Sequence, residues 1–427
     1  MKQTVIGEIP ADWEVVKLGD IISDLKSGVS VNSEDKRIQI PGEIGILKTS
    51  AVANGHFLPN QHKLVIEKDV QRAKLNPAKG SILVSRMNTP ALVGDSCYVD
   101  KDYPDLFIPD RLWMTVFNPK KKISSRWLSF VLVSDSFKET IKSTATGTSN
   151  SMKNISKGSF LSLEVLLPPL PQQRKIAEIL STVDEKMAVI DEQLAQTQEL
   201  KKGLMQRLLT KGIGHTAFKD SPLGKIPESW EVASLGSVFD FLNGKAFKPS
   251  EWSKTGLPII RIQNLNGSSV FNFYDGPVDN RNLVEPNQLL FSWSGSRGTS
   301  FGPFRWNGKI GVLNQHIFKI LVKNVSVLDS DFGFYFLKYL TSDIEDRAHG
   351  ASGLVHITKK ELEHFNLSLP PLFEQRKIAE ALNTVDDKLQ VLTDKKAQYQ
   401  ELKRGLMQQL LTGQRRVRVA QPEEALT

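Results

Sequence analysis

Residues 167–210 and 369–412 are two versions of one segment. The first reads LPPLPQQRKIAEILSTVDEKMAVIDEQLAQTQELKKGLMQRLLT and the second LPPLFEQRKIAEALNTVDDKLQVLTDKKAQYQELKRGLMQQLLT. A shorter pair lies upstream of them. IGEIPADWEVVKLGD at 6–20 returns as LGKIPESWEVASLGS at 223–237. A chain built this way repeats one unit: an opening motif, a globular stretch and a long helix. The stretches between the echoes, 21–166 and 238–368, have diverged. A kept frame with changed cargo points to one scaffold presenting two different surfaces.

The repeated segments are amphipathic helices. In the first, Ile176, Leu180, Val183, Met187 and Ile190 alternate steps of four and three, the heptad seam of a coiled coil. In the second, Ile378, Leu382, Val385, Leu389 and Leu392 take those places. Further along, the strict seam becomes polar (Thr197 and Lys201, Tyr399 and Lys403). The apolar stripe moves to Leu200, Leu204 and Leu208, and to Leu402, Leu406 and Leu410, so looser packing is expected there. Prolines precede each helix, where they are tolerated, and Gly212 and Gly413 stand at the expected stops. Gly203 and Gly405 lie inside, marking either a close helix contact or a tolerated weak point. Forty helical residues extend roughly 60 Å. An apolar stripe of that length needs a partner: the other copy, its own domain or a second chain.

The diverged stretches read as mixed α/β. Strands are expected at 44–47, 81–85 and 112–117, and at 258–262, 288–293 and 317–322, separated by turn-forming clusters. Helices are expected at 125–136 and 331–341, followed by polar loops (144–156 and 348–358) and short segments at 157–161 and 359–362 that lead into the proline-rich hinge. Weak echoes place 80–90 over 287–300, 46–55 over 259–267, and 108–111 over 313–316. Trp13 and Trp230, repeated in IPxxWE, are expected as core anchors.

Catalytic signals are poor. The chain has no GxxxxGK[ST] phosphate loop, no aromatic-flanked methylase loop and no FxGxG cofactor loop. One cysteine excludes an intrachain disulfide and a multi-cysteine zinc site, and seven scattered histidines show no metal spacing. No metal site, catalytic residue or cofactor is therefore expected. The acid-x-Lys triplets at 184–186 and 386–388 lie on the helices and read as solvated charge faces. No apolar run reaches membrane-spanning length, and a reducing, cytoplasmic setting is expected. The net charge of +8 weakly favours a polyanionic partner.

Loops, by contrast, are rich in hydrogen-bonding side chains. Arginine and lysine can read guanine, asparagine and glutamine can read adenine, and serine, threonine and backbone amides suit phosphates. Turn formation explains many of the same residue types. The candidates for DNA contact are Lys48, Arg86, Asn88 and Lys153 in the first repeat, and Arg261, Asn264, Arg297 and His356 in the second. Arg415, Arg416 and Arg418 belong to a tail, 414–427, expected to be flexible and solvated.

With both copies in order, GEIPADWEVVKLGD/GKIPESWEVASLGS, LPPLxxQRKIAExLxTVDxK and ELKxGLMQxLLT resemble the specificity subunits of type I restriction–modification systems. The resemblance covers nearly the whole chain. It implies an α+β fold with two target-recognition domains (1–165 and 213–367) and two conserved coiled-coil helices (166–212 and 368–413). Those helices would pack antiparallel under pseudo-twofold symmetry, holding the domain centres about one DNA turn apart, roughly 34 Å. It also implies a bipartite, asymmetric double-stranded DNA target and a role in phage defence. Partners would be two methyltransferase subunits and motor–restriction subunits, with no active site, S-adenosylmethionine or ATP of its own. The alternative from another class is a coiled-coil scaffold joining two protein-binding domains without DNA. The differing helix entries, Pro171-Gln172 and Phe373-Glu374, leave open whether the two docking surfaces are equivalent.

Overall fold

A computed structural model describes residues 1–4, 7–147, 152–350 and 353–419. The tips of both polar loops, 148–151 and 351–352, and tail residues 420–427 lie outside the described residues. The chain forms two compact units, Met1–Asp191 with the chain from Lys395, and Glu192–Asp394. The boundaries fall inside the two long helices, Leu170–Lys211 and Leu372–Leu411. Each unit therefore contains the beginning of one helix and the end of the other.

That division sets how the helices pack. In the first unit Ile176, Ala177 and Leu180 share a core with Leu406, Met407, Leu410 and Leu411. In the second, Ile378, Ala379 and Leu382 share one with Leu204, Met205, Leu208 and Leu209. A beginning meets an end, so the pairing is antiparallel in each unit. Every buried leucine or isoleucine contributes about 1.5–3 kcal/mol relative to exposure. Of the seam positions, Val183, Ile190, Val385 and Leu392 are also buried, and Met187 and Leu389 are half-buried. The looser packing expected toward the helix ends is present in part: Leu204, Leu208 and Leu406 are half-buried against the opposite helix's start, and Leu410 is buried. Leu200 and Leu402 fall off the stripe, at 54% and 49% exposure.

Of the triplets, Glu185, Lys186, Asp387 and Lys388 are solvated as expected, whereas Asp184 and Asp386 are partly buried in ion pairs. Lys403 Nζ lies 2.6 Å from Asp184 Oδ1, and Lys201 pairs with Asp386 Oδ1. The polar seam positions thus hold ion pairs where leucine would otherwise stand. Gly203 and Gly405 have open space where a Cβ would project, so they are tolerated weak points and not close contacts.

Each globular part carries the same main sheet, antiparallel throughout. In the first unit the order is Ser96–Tyr98, Ile82–Ser85, Leu112–Phe117, Ile22–Ser27. In the second it is Gly302–Arg305, Leu289–Ser292, Ile317–Val322, Phe239–Asn243. One core in each unit joins this sheet to its covering helices and to the long helices. In the second unit the covering helix is continuous, Ser330–Arg347. In the first, the helix expected over 125–136 breaks: Ser134 is extended (φ −65°, ψ 146°), ending Ser125–Val133 and starting Asp135–Thr144.

A second, smaller sheet shares three strands between the units. Gly45–Leu47 runs parallel to Leu106–Phe107 and antiparallel to His62–Val65. Leu257–Ile260 runs parallel to Gly311–Leu313 and antiparallel to Phe273–Tyr274. The fourth strand differs: Ser33–Glu34 joins the His62–Val65 edge, whereas Leu283–Val284 joins the Gly311–Leu313 edge. Glycine permits a tight backbone approach at one shared point. A Cβ on Gly28 would lie 1.4 Å from the Ile108 carbonyl oxygen, and one on Gly244 2.2 Å from that of Asn314.

The repeated motifs tie these parts to the helices. Trp13 and Trp230 are fully buried, and each indole N–H donates to the start of a long helix. Trp13 reaches Gln172 Oε1 at 2.9 Å and Trp230 reaches Glu374 Oε2 at 3.0 Å. The next residues, Gln173 and Gln375, are buried as well. Gln173 accepts from Ser124 N and donates to the Pro168 carbonyl; Gln375 accepts from Asp329 N and donates to the Pro370 and Val327 carbonyls. They fasten the start of each covering helix to the start of a long helix. Arg416, expected in a solvated tail, forms an ion pair with Asp12 at 2.7 Å.

Candidate nucleic-acid interface

In both units three chain segments meet at the same corner of the main sheet. The strand Ile82–Ser85 continues into Met87–Asn88, which pairs with Lys153–Asn154. Arg86 N donates to the Arg111 carbonyl at 3.1 Å, and Ile155 N donates to the Arg86 carbonyl at 3.0 Å. In the second unit, Leu289–Ser292 continues into Ser294–Ser296, which pairs with Leu354–His356. Trp293 N donates to the His316 carbonyl at 3.3 Å, and Ile357 N donates to the Trp293 carbonyl at 2.9 Å. Arg86 and Trp293 hold one structural position, and Arg111 and His316 another.

The corner gathers three of the four candidates of the first repeat. Asn88 stands opposite Lys153 in the ribbon. Asn88 Nδ2 donates to Ser85 Oγ at 3.2 Å, and Lys153 Nζ donates to the Gly147 carbonyl at 2.8 Å. The Arg86 guanidinium lies over the Trp113 ring at 5.9 Å, with its Nε buried and without a hydrogen-bond partner. A guanidinium packed on an indole keeps its remaining donors aimed in one direction.

The same corner of the second unit holds Arg297 and His356. Arg297 forms a long ion pair with Asp346, 3.5 Å, with both side chains well exposed. Such a pair is weak and easily exchanged for a phosphate. His356 is exposed, its strand bonded through backbone to His349 in both directions, with the two rings 5.9 Å apart.

The remaining candidates lie elsewhere, in the loop after the central strand of the smaller sheet. Lys48 Nζ is 2.8 Å from Asp35 Oδ1, and this lysine holds the Asp35 carboxyl below its ordinary range. Arg261 lies over Trp252 at 5.6 Å and donates to Asn272 Oδ1 at 3.1 Å. Asn264 is only 7% exposed. Its Oδ1 accepts from Arg261 N, and its Nδ2 donates to the Ser268 and Val270 carbonyls. The amide is thus used in closing its own turn. That loop also departs from the strand expected over 258–262, which stops at Ile260 before a helical turn, Ile262–Leu265. Among the described residues there is no group of three or more histidine, cysteine, aspartate or glutamate side chains placed to hold a metal, and no helix long and apolar enough to cross a membrane.

Two stretches of the chain, residues 10–199 and 227–401, match the family described as the type I restriction modification DNA specificity domain. The chain belongs to the type I restriction–modification DNA specificity family. A similar protein across nearly the whole length is the putative type I restriction enzyme MjaX specificity subunit of Methanocaldococcus jannaschii, 31% identical over 98% of this chain and 97% of that one. The MjaVIII specificity subunit of the same organism is 27% identical over 96% and 94%. In fold, the chain resembles the crystal structure of the type I restriction–modification S subunit from M. genitalium, with a TM-score of 0.60, 18% identity, and 96% and 98% of the two chains covered. The protein is thus a non-catalytic type I restriction–modification DNA-specificity subunit. The scaffold alternative falls with that membership.

The specificity-subunit repeats carry the buried tryptophans, the glutamines that lock the helices and the lysine–aspartate pairs. The corner residues between them differ from one repeat to the other.

Proposed function

We propose that this specificity subunit reads a bipartite DNA target with unlike halves. Residues 1–165 take one half and residues 213–367 the other, in the cytoplasm. The helical segments 166–212 and 368–413 dock two methyltransferase subunits, and the restriction–motor subunits complete the enzyme. One observation carries this reading: an identical three-segment corner recurs in both units, with different polar side chains in each. Lys48, Arg86, Asn88, Lys153, Arg261, Asn264, Arg297 and His356 are proposed as DNA contacts. Among them Asn264 acts through its loop, since its own amide is already used.

The deciding experiment is methylome sequencing of a host carrying the whole operon with this chain present, absent or replaced. A gapped two-part motif that follows the chain supports the reading, and a motif indifferent to the chain defeats it. Affinity for duplex should also fall steeply with salt, by about a thousandfold between roughly 50 and 200 mM if some six phosphates are contacted.

A further inference from the structure

We infer that the turns Pro109-Asp110-Arg111 and Asn314-Gln315-His316 carry the side chains that choose the bases, one turn for each half of the target. The inference rests on the bipartite reading above and extends it to residues outside the contact set proposed there.

Both turns sit at the three-segment corner. Each joins the parallel strand of the smaller sheet (Leu106–Phe107 or Gly311–Leu313) to the second central strand of the main sheet (Leu112–Phe117 or Ile317–Val322). Their backbones are held from two sides. Arg111 and His316 accept from Arg86 and Trp293, and the adjoining carbonyls of Ile108 and Asn314 press against Gly28 and Gly244. A turn anchored to two sheets presents its side chains with little positional freedom, which base reading requires.

The side chains themselves are uncommitted. Asp110, Arg111, Gln315 and His316 are exposed. Among the described residues, Asp110 and Arg111 have no side-chain hydrogen bond or ion pair, and the side chains of Gln315 and His316 hydrogen-bond only each other, at 3.2 Å. Trp293 acts as a positioning residue beneath the second turn. Its indole N–H donates to the Gln315 carbonyl at 3.1 Å, and its ring lies 5.2 Å from that of His316. The two turns match in backbone and differ in chemistry, as two heads reading different sequences must.

The chemistry gives a base preference. A free arginine pairs with guanine O6 and N7, aspartate accepts from cytosine N4, and glutamine pairs with adenine N6 and N7. The first half of the target therefore contains a guanine read by Arg111, beside a cytosine for Asp110. The second half contains an adenine read by Gln315.

The test is methylome sequencing with the operon carrying the native chain, Arg111→Ala, Arg111→Lys, Gln315→Ala or Gln315→Asn, together with duplex binding by the assembled complex. Arg111→Ala should relax one guanine position in one half only, and Gln315→Ala one adenine position in the other. Discrimination at that base should drop by about 5- to 150-fold. Arg111→Lys should retain part of the guanine preference, which a merely structural role would not produce. An unchanged motif in all four variants overturns the inference while leaving the bipartite reading standing. A native chain without any chain-dependent motif overturns both.

Discussion

Lys403, near the end of the second long helix, sits 2.6 Å from Asp184 in the first half of the other. Lys201 and Asp386 make the same pair in the second unit, from the same two positions of the repeat. Both pairs are largely shielded from solvent. Each aspartate has a second support that differs between units: Arg126 for Asp184, and the Tyr335 hydroxyl for Asp386. The Lys403 contact is an ion pair without directional hydrogen-bond geometry. It lies between exposed pairs, worth under about 1 kcal/mol, and fully buried ones, where losing one partner costs about 3–5 kcal/mol.

Lys403→Met is accordingly expected to destabilise the first unit by about 1–3 kcal/mol, because it strands a shielded carboxylate. The double variant Lys403→Met, Asp184→Leu should recover much of that loss. Denaturant unfolding of the two single variants and the double variant measures the coupling. Additive losses would show that the pair contributes nothing as a pair.

The helix glycines separate into two kinds. Gly413 has φ +76°, and a Cβ there would lie 2.6 Å from Pro10 Cγ. Gly413→Ala should cost about 1–3 kcal/mol through backbone strain and collision. Gly203 and Gly405 face open space, so Gly203→Ala and Gly405→Ala should each raise stability by up to about 1 kcal/mol. Thermal unfolding of the three variants reads both signs.

Glu374 replaces the Gln172 of the first repeat and accepts three hydrogen bonds. Its Oε1 takes Ile213 N at 2.9 Å and His215 Nε2 at 2.8 Å, and its Oε2 takes Trp230 Nε1 at 3.0 Å. Glu374→Gln would turn an NH2 group toward one of these donors. A loss of about 1–3 kcal/mol in unfolding free energy is expected. Gln172→Glu, beside Asp12, should be unfavourable for a different reason: two carboxylates would meet where Gln172 Nε2 now donates to Asp12 Oδ2 at 2.7 Å.

Acid should weaken the second unit through Glu361. Its carboxyl is held down at about 2, first by the hydrogen bond with His349 and then by those from Thr358. A depressed carboxyl stabilises above its unfolded value, near 4.5, and that contribution is lost as pH falls through about 2. Glu361→Gln should flatten the fall in melting temperature between about pH 4.5 and 2. A slope equal to that of the native chain would exclude this carboxyl as a source.

Much of the architecture was legible because repetition reports constraint. The strands at 112–117 and 317–322 stand where β-branched and apolar runs bounded by turn residues put them. The break at Ser134 was not legible, since Ser125–Val133 and Asp135–Thr144 together read as one amphipathic stretch. Nor were Lys201 and Lys403, which look like seam defects until the opposing aspartates are seen. Of the candidate residues, Arg86, Asn88 and Lys153 come together through a ribbon whose strands are two residues each, too short to leave a periodic signal. The turns at 109–111 and 314–316 were visible as an echo, but nothing local marked them as adjoining that ribbon.

The sequence by itself determined the duplication, the two long helices with their apolar seam and the family, because those rest on local periodicity and on motifs kept twice. Tertiary structure alone decided which helix end meets which beginning, which charges are paired and which polar side chains converge on one corner. Those outcomes depend on contacts between residues distant in sequence, where packing and solvent exclusion select the partner and local preference is silent.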